Sequence, residues 1–142
     1  MTLAPADMIC FALYSATHAM QQAYRPHLDR LGLTYPQYLV LSALWTADTP
    51  PRMGDVARQL QLESNTLTPL LKRLEAAGLL IRRRDPEDER QVRLDLTEAG
   101  QQMRARAAHV PGCIADEAGL PLDDLLRLRD EITTLRDQLR KA

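Results

Sequence analysis

The feature that most constrains this chain is a change of period at Gly78. Before it, Leu67, Leu70, Leu71, Leu74 and Ala77 recur at helical spacing. After it, Leu79, Ile81 and Arg83 alternate toward a charged tip, Asp85-Pro86-Glu87-Asp88-Glu89-Arg90. Val92, Leu94 and Leu96 then alternate with Gln91, Arg93 and Asp95 on the way back. Glycine ends a helix and a polar-tipped two-stranded hairpin follows at once. Upstream, Arg52 to Leu60 reads as a short helix burying Met53, Val56, Ala57 and Leu60. Ser64-Asn65-Thr66 reads as the cap of the next helix. With Thr66 as N-cap, Pro69 falls at the third helical position, where its missing N–H is harmless.

Short helix, tight connection, helix, then hairpin is the order of a winged helix-turn-helix. The flanks are helical. Ile9, Leu13, Ala16, Met20, Ala23, His27 and Leu31 mark one face of a long helix from about Pro5 to Arg30, loosened by Pro26 and ended at Gly32. Thr34-Tyr35-Pro36-Gln37 predicts a capping box opening a helix to Trp45, and Asp48-Thr49-Pro50-Pro51 a turn. Thr97 caps a helix expected to run until Pro111-Gly112 interrupts it. Leu122, Leu125, Leu128, Ile132, Leu135 and Leu139 form a final seam at near-heptad spacing. The expected fold is mainly α with a small β-hairpin wing, one domain over 1–142. The winged helix-turn-helix spans 34–97, and dimerisation helices occupy 1–33 and 98–142. The unpartnered apolar faces at both ends make a homodimer the economical reading.

Net charge is −1 over 142 residues, so nucleic-acid binding needs a local basic face. One exists. From Arg52 to Arg84, seven cations (Arg52, Arg58, Lys72, Arg73, Arg82, Arg83, Arg84) outnumber three anions (Asp55, Glu63, Glu75). Ser64, Asn65, Thr66 and Thr68 are small hydrogen-bonding residues at the start of the second helix, suited to base edges and backbone. Lys72 and Arg73 follow them, Arg82 and Arg84 feed the hairpin, and Arg90 at its tip is placed for a minor groove. The competing reading, a solvated hairpin face, loses weight because a helix-turn-helix pattern directly precedes it.

RMGDVARQL, followed by SNTLTPLLKRLEAAGLLIRRRDPEDERQVRLDLTEAG, resembles the helix-turn-helix and wing of MarR-type transcriptional regulators. DPEDER matches the wing signature, with Asp88 and Arg90 at its paired acidic and basic positions. The resemblance implies a homodimer on a pseudo-palindromic double-stranded operator. It also implies that Arg90 contacts DNA while Asp88 orients the wing arginines by ion pairing.

Met8 to Trp45 holds Cys10 and all four tyrosines, Tyr14, Tyr24, Tyr35 and Tyr38. Free cysteine is often an inert core residue. Reactivity requires a stabilised thiolate, and no Lys, Arg or His lies within one helical turn of Cys10. Tyrosine hydroxyls can serve as donors instead. Tyr14, at i+4, shares the face of Cys10. Tyr24 lies about 21 Å further along a straight helix, out of reach of its own Cys10. It can approach the Cys10 of a second copy whose first helix runs antiparallel.

CFALYSATHAMQQAYRPHLDRLGLTYPQYLVLSALW is similar to the N-terminal region of the organic hydroperoxide resistance regulators, the peroxide-sensing branch of the MarR family. That similarity implies a redox-sensing thiol at Cys10, hydrogen-bonded by Tyr24 and Tyr35 of the other subunit, with Tyr14 in the pocket. It implies that organic hydroperoxide is the signal. Cys113 makes the chain resemble the two-cysteine members, in which a resolving thiol forms an intersubunit disulfide. Taken without the resemblance, the residues leave open a repressor of non-covalent small ligands and a thiol peroxidase.

Two cysteines far apart in sequence fit neither a disulfide framework nor a zinc site, and His18, His27 and His109 are dispersed, so no metal or cofactor is expected. No apolar run approaches the ~20 residues that span a bilayer. MTLAPADMIC lacks the pattern of a signal peptide, so a cytoplasmic protein with reduced thiols is expected.

Overall fold

The computed structural model describes residues 1–142, which divide into two compact units, 1–108 and 109–142. In the first, a 3-10 turn at Pro5–Asp7 precedes α1 (Ile9–Asp29), α2 (Tyr35–Trp45), α3 (Met53–Gln59), α4 (Ser64–Ala76), β1 (Leu80–Arg84), β2 (Val92–Leu96) and α5 (Glu98–Ala107). The second holds α6 (Val110–Ala118) and α7 (Leu122–Lys141). Helix, short helix, helix and hairpin stand in the predicted order. β1 and β2 pair antiparallel, from Leu80 opposite Leu96 to Arg84 opposite Val92.

The core of the first unit is aliphatic. Leu28, Val40, Leu41, Leu67, Leu71, Leu74, Leu80 and Leu94 are almost fully buried, so α1, α2, α4 and the hairpin each contribute. The predicted capping box at Thr34 and Gln37 is formed. Gly78, at φ +76°, lets Leu79 N–H reach Leu74 O and Gly78 N–H reach Glu75 O, which closes α4 and turns the chain into the hairpin. The turn between α3 and α4 uses the same device with Gln61 at φ +59°, a conformation costing about 1–2 kcal/mol for a residue with a Cβ.

Four local expectations are corrected. The first helix does not run from Pro5: Met8 is extended, so Cys10 sits in the first turn of α1 rather than inside a longer helix. The N-cap of α4 is Glu63, not Thr66. Glu63 takes the extended conformation and its carbonyl accepts from Thr66 and Leu67 N–H. Pro69 is therefore inside the helix, and it removes a bond only from the carbonyl of Asn65, an exposed residue that water can serve. In β1, Leu80 faces the core while Ile81 is 47% exposed, because Leu79 is consumed in closing α4 and the strand starts one residue later. Finally, Pro111-Gly112 does not interrupt a helix. The break falls at Ala108–His109, and Pro111 occupies the first turn of α6, where proline is tolerated.

In the second unit, α6 ends at Gly119 and α7 carries no buried residue. Its seam positions Leu122, Leu128, Ile132 and Leu139 are exposed. On α1, Ile9, Phe11, Tyr14 and Met20 are exposed as well, and only Leu28 is buried.

Candidate functional site

Tyr24 of α1 and Tyr35, Tyr38 and Trp45 of α2 form a continuous cluster. Tyr24 meets Tyr35 at 5.0 Å between ring centroids, edge to face, and Tyr38 at 5.8 Å. Tyr38 in turn meets Trp45 at 6.2 Å. Burial, then the neighbouring Tyr35 and Tyr38, pushes the Tyr24 hydroxyl up to about 12. Burial and then Tyr38 raise Tyr35, and burial raises Tyr38. All three phenols therefore remain protonated donors at neutral pH. Tyr38, 8% exposed, is the anchor of the group that sequence reading left out of the pocket.

Cys10 is exposed on the first turn of α1. One uninterrupted helix separates it from Tyr24, about 21 Å away at 1.5 Å per residue, so the chain does not bring thiol and phenol pair together. Tyr14, one turn beyond Cys10, meets the ring of His18 at 4.5 Å between centroids, tilted by 41°. Cys113 is half-buried in α6, in the other compact unit, with its N–H donating to His109 O at 3.1 Å. Both thiols are free. No group of three His, Cys, Asp or Glu is placed to hold a metal ion, and no helix is long and apolar enough to cross a membrane.

The basic surface is more selective than its charge count. Ser64, Asn65 and Thr66 are exposed on the first turn of α4, and Lys72 and Arg73 are exposed further along it. Thr68 is half-buried and its hydroxyl donates to Ser64 O at 2.8 Å, within its own helix. Arg82 is held by Glu75, whose carboxylate accepts from both its backbone N–H (3.1 Å) and its guanidinium (3.3 Å). Those bonds hold the Glu75 carboxyl below its ordinary range. Arg82 thus pins β1 to α4. Arg84 donates to Glu89 O at 3.0 Å and braces the tip. Asp88 accepts from the N–H and Nε of Arg90 at 3.1 and 3.3 Å, leaving Arg90 at 90% side-chain exposure.

Asp85, which sequence reading left out of the site, ties the wing to the residue that precedes α3. It is 1% exposed. One carboxylate oxygen accepts from Arg52 Nε at 2.7 Å and lies 3.3 Å from Arg93 Nε, while the other accepts from Glu87 N–H at 3.0 Å. The Glu87 N–H, and then the arginines, hold the Asp85 carboxyl below its ordinary range against the opposing effect of burial. Arg93 also donates to Pro50 O at 2.7 Å, and Leu94 N–H to Pro51 O at 2.9 Å. The wing is thereby fastened to the segment that starts α3. The DPEDER motif was the available signal, but Arg52 is 33 positions from Asp85 and no local pattern pairs them.

Comparison with known proteins agrees with this architecture. Residues 22–106 match the family described as transcriptional regulator SarA/Rot. The organic hydroperoxide resistance transcriptional regulator of Bacillus subtilis is 42% identical over 94% of this chain and 90% of its own length. The HTH-type transcriptional regulator TtmR of Methylorubrum extorquens is 44% identical over 94% of this chain and 68% of its own. Reduced AbfR bound to DNA superposes with a TM-score of 0.79 at 36% identity, covering 94% of this chain and 93% of that one. AbfR has also been solved in a disulfide-formed state, at a TM-score of 0.67 and 35% identity over 96% of this chain and 92% of that one.

Proposed function

Because this chain belongs to the MarR-type winged-helix transcriptional regulators, we propose that it is a peroxide-responsive repressor whose sensor is completed by a second copy. The observation that carries the reading is the separation, along one unbroken helix, of an exposed thiol from a cluster of protonated phenols. Two copies with antiparallel first helices place each Cys10 against the partner's phenols. Residues 1–33 and 98–142 then supply the dimer contacts, and residues 34–97 read a pseudo-palindromic operator through α4 and the wing. The names of two relatives support it: one is an organic hydroperoxide resistance regulator, and AbfR has been solved both reduced on DNA and with a disulfide formed.

In this reading the Cys10 thiolate attacks the terminal oxygen of an organic hydroperoxide. The O–O bond breaks, the alkoxide takes up a proton and leaves as alcohol, and the sulfur becomes a sulfenic acid. The thiolate of Cys113 of the partner subunit then attacks that sulfur, releasing the sulfenic oxygen as water and leaving an intersubunit disulfide. Bridging requires the two Cα atoms to come within roughly 7 Å, so a helix moves and the reading heads are respaced. Operator DNA is released. The setting is the cytoplasm, where thiols stay reduced until challenged.

Cumene hydroperoxide added to an operator gel-shift tests the reading. Wild type should release DNA, Cys10→Ser should not, and a disulfide-linked dimer on a non-reducing gel should vanish in Cys113→Ser. Retained binding by oxidised wild type, or release that survives Cys10→Ser, sinks the redox reading. A cleft of about 300 Å³ beside Tyr35, lined also by Gln21, Arg25 and Asp29, favours a second reading as a repressor of a non-covalent phenolic ligand. Release by such a ligand from both wild type and Cys10→Ser is the result that would select it.

A further inference from the structure

A chain of specific contacts runs from the tyrosine cluster to the base of the wing. Tyr38 packs against Tyr24 on one side and meets Trp45 edge-on, at 68°, on the other. The indole N–H of Trp45 donates to Gly100 O at 2.9 Å, crossing from the last residue of α2 to the first turn of α5. That turn is seated directly on the hairpin. A Cβ at Gly100 would fall 2.1 Å from Leu79 O. Thr97, the N-cap of α5, donates its hydroxyl to Gly78 O at 2.6 Å and its N–H to Leu79 O at 3.1 Å. Gly78 and Leu79 are the residues that end α4 and lead into β1.

The two halves of this path differ in stiffness. Aromatic packing lets rings slide with modest loss, whereas the part-buried bond from the Trp45 indole N–H is directional and weakens as its geometry departs from linear. Gly100 and Leu79 are already at van der Waals contact, so α5 cannot approach the hairpin further without displacing it. The hydrogen bond is thus the point at which α2 meets the turn of α5 that is seated on the junction of α4 and the wing.

We propose that Trp45 and Gly100 form a positioning joint that carries the sensor's state to the DNA-reading elements. The inference rests on the peroxide-sensing reading above. It touches neither the reacting thiol nor the operator, and it predicts that sensing and release can be separated by one substitution.

The test measures Cys10 oxidation rate by mass spectrometry, and operator affinity reduced and oxidised, for wild type and Trp45→Phe. Phenylalanine keeps an aromatic ring against Tyr38 and removes the indole donor. Oxidation rate and reduced affinity should stay within about twofold, while the affinity loss on oxidation shrinks about 3- to 10-fold, the range of one hydrogen bond. A full wild-type loss in Trp45→Phe overturns the joint. The chain has one tryptophan, so wild-type emission reports on this residue without any substitution. Its emission should change at the rate of operator release. Release with unchanged emission and acrylamide quenching overturns the joint even if Trp45→Phe fails to fold. Wild type that keeps its operator after Cys10 oxidation overturns the sensing reading itself, a distinguishable failure.

Discussion

Replacing Gly100 by alanine sets two opposed effects against each other. Gly100 is helical, so alanine alone should gain about 0.8–1.0 kcal/mol of helix propensity. The added methyl, however, would sit 2.1 Å from the backbone oxygen of Leu79 and 3.0 Å from a Leu96 methyl. Relief to an ordinary contact requires α5 to withdraw by about 1 Å, since the Leu79 oxygen is backbone and not the end of a flexible side chain. That withdrawal stretches the two Thr97 bonds (2.6 and 3.1 Å) that tie the same turn to Gly78 and Leu79. Overpacking at about 3 kcal/mol and one or two hydrogen bonds at ~1 kcal/mol each outweigh the propensity gain, for a net loss of about 3–4 kcal/mol. For a chain of this length that lowers Tm by roughly 10 °C. Urea unfolding at fixed protein concentration measures it, with Gly54→Ala as control: a Cβ there meets only the end of Arg58 at 3.7 Å, and stability should hold or rise slightly. Gly100→Ala as stable as wild type would refute the close seating of α5 on the hairpin.

Asp85→Asn should free Arg52 and Arg93 and weaken operator binding about tenfold, the scale of losing charge-assisted bonds that fix a contacting element, with the fold intact by circular dichroism; undiminished affinity would deny Asp85 its orienting role. Because the folded Asp85 is depressed below its ordinary 3.8, its contribution is fully present above that value and is lost as pH falls through the lower folded one. The side-chain carboxyl signal of Asp85 should accordingly titrate with a midpoint below 3.8, and a midpoint above that value would contradict the clasp. Arg90→Ala should cost about 1–3 kcal/mol of operator affinity if the exposed tip arginine is a contact, read by fluorescence anisotropy at fixed salt. Tyr24→Phe should slow Cys10 oxidation by hydroperoxide while reduced protein binds operator normally; an unchanged rate would remove the phenol from the sensor.

Much of the fold was legible because its signals are local. The helix stop at Gly78, the Thr34–Gln37 capping box and the Thr97 cap each lie within a few residues, and each is present as read. The misplacements were local too, and share a cause. A terminus is chosen by which residue turns extended, so Glu63 rather than Thr66 opens α4 although threonine is the better cap by side chain. Proline at 111 begins a helix as readily as it ends one. Of the candidate site, the exposed residues of α4 and the thiol of α1 were visible as residue types. The bonds of Arg82 to Glu75 and of Asp85 to Arg52 were not, because a charge run looks the same whether its members face water or one another.

The sequence by itself determined the order of helices and hairpin, the surplus of positive charge between Arg52 and Arg84, and the impossibility of Tyr24 reaching its own Cys10. Each follows from spacing along a chain of fixed rise per residue. Only the tertiary structure decided which cation each wing aspartate meets, Asp95 pairing with Arg83 at 2.9 Å. Asp88 has just Arg90 beside it, whereas folding buries Asp85 between Arg52 and Arg93. A buried carboxylate must be neutralised by whatever cations the fold brings within reach, and that proximity across 33 residues exists only once α3 and the hairpin have docked.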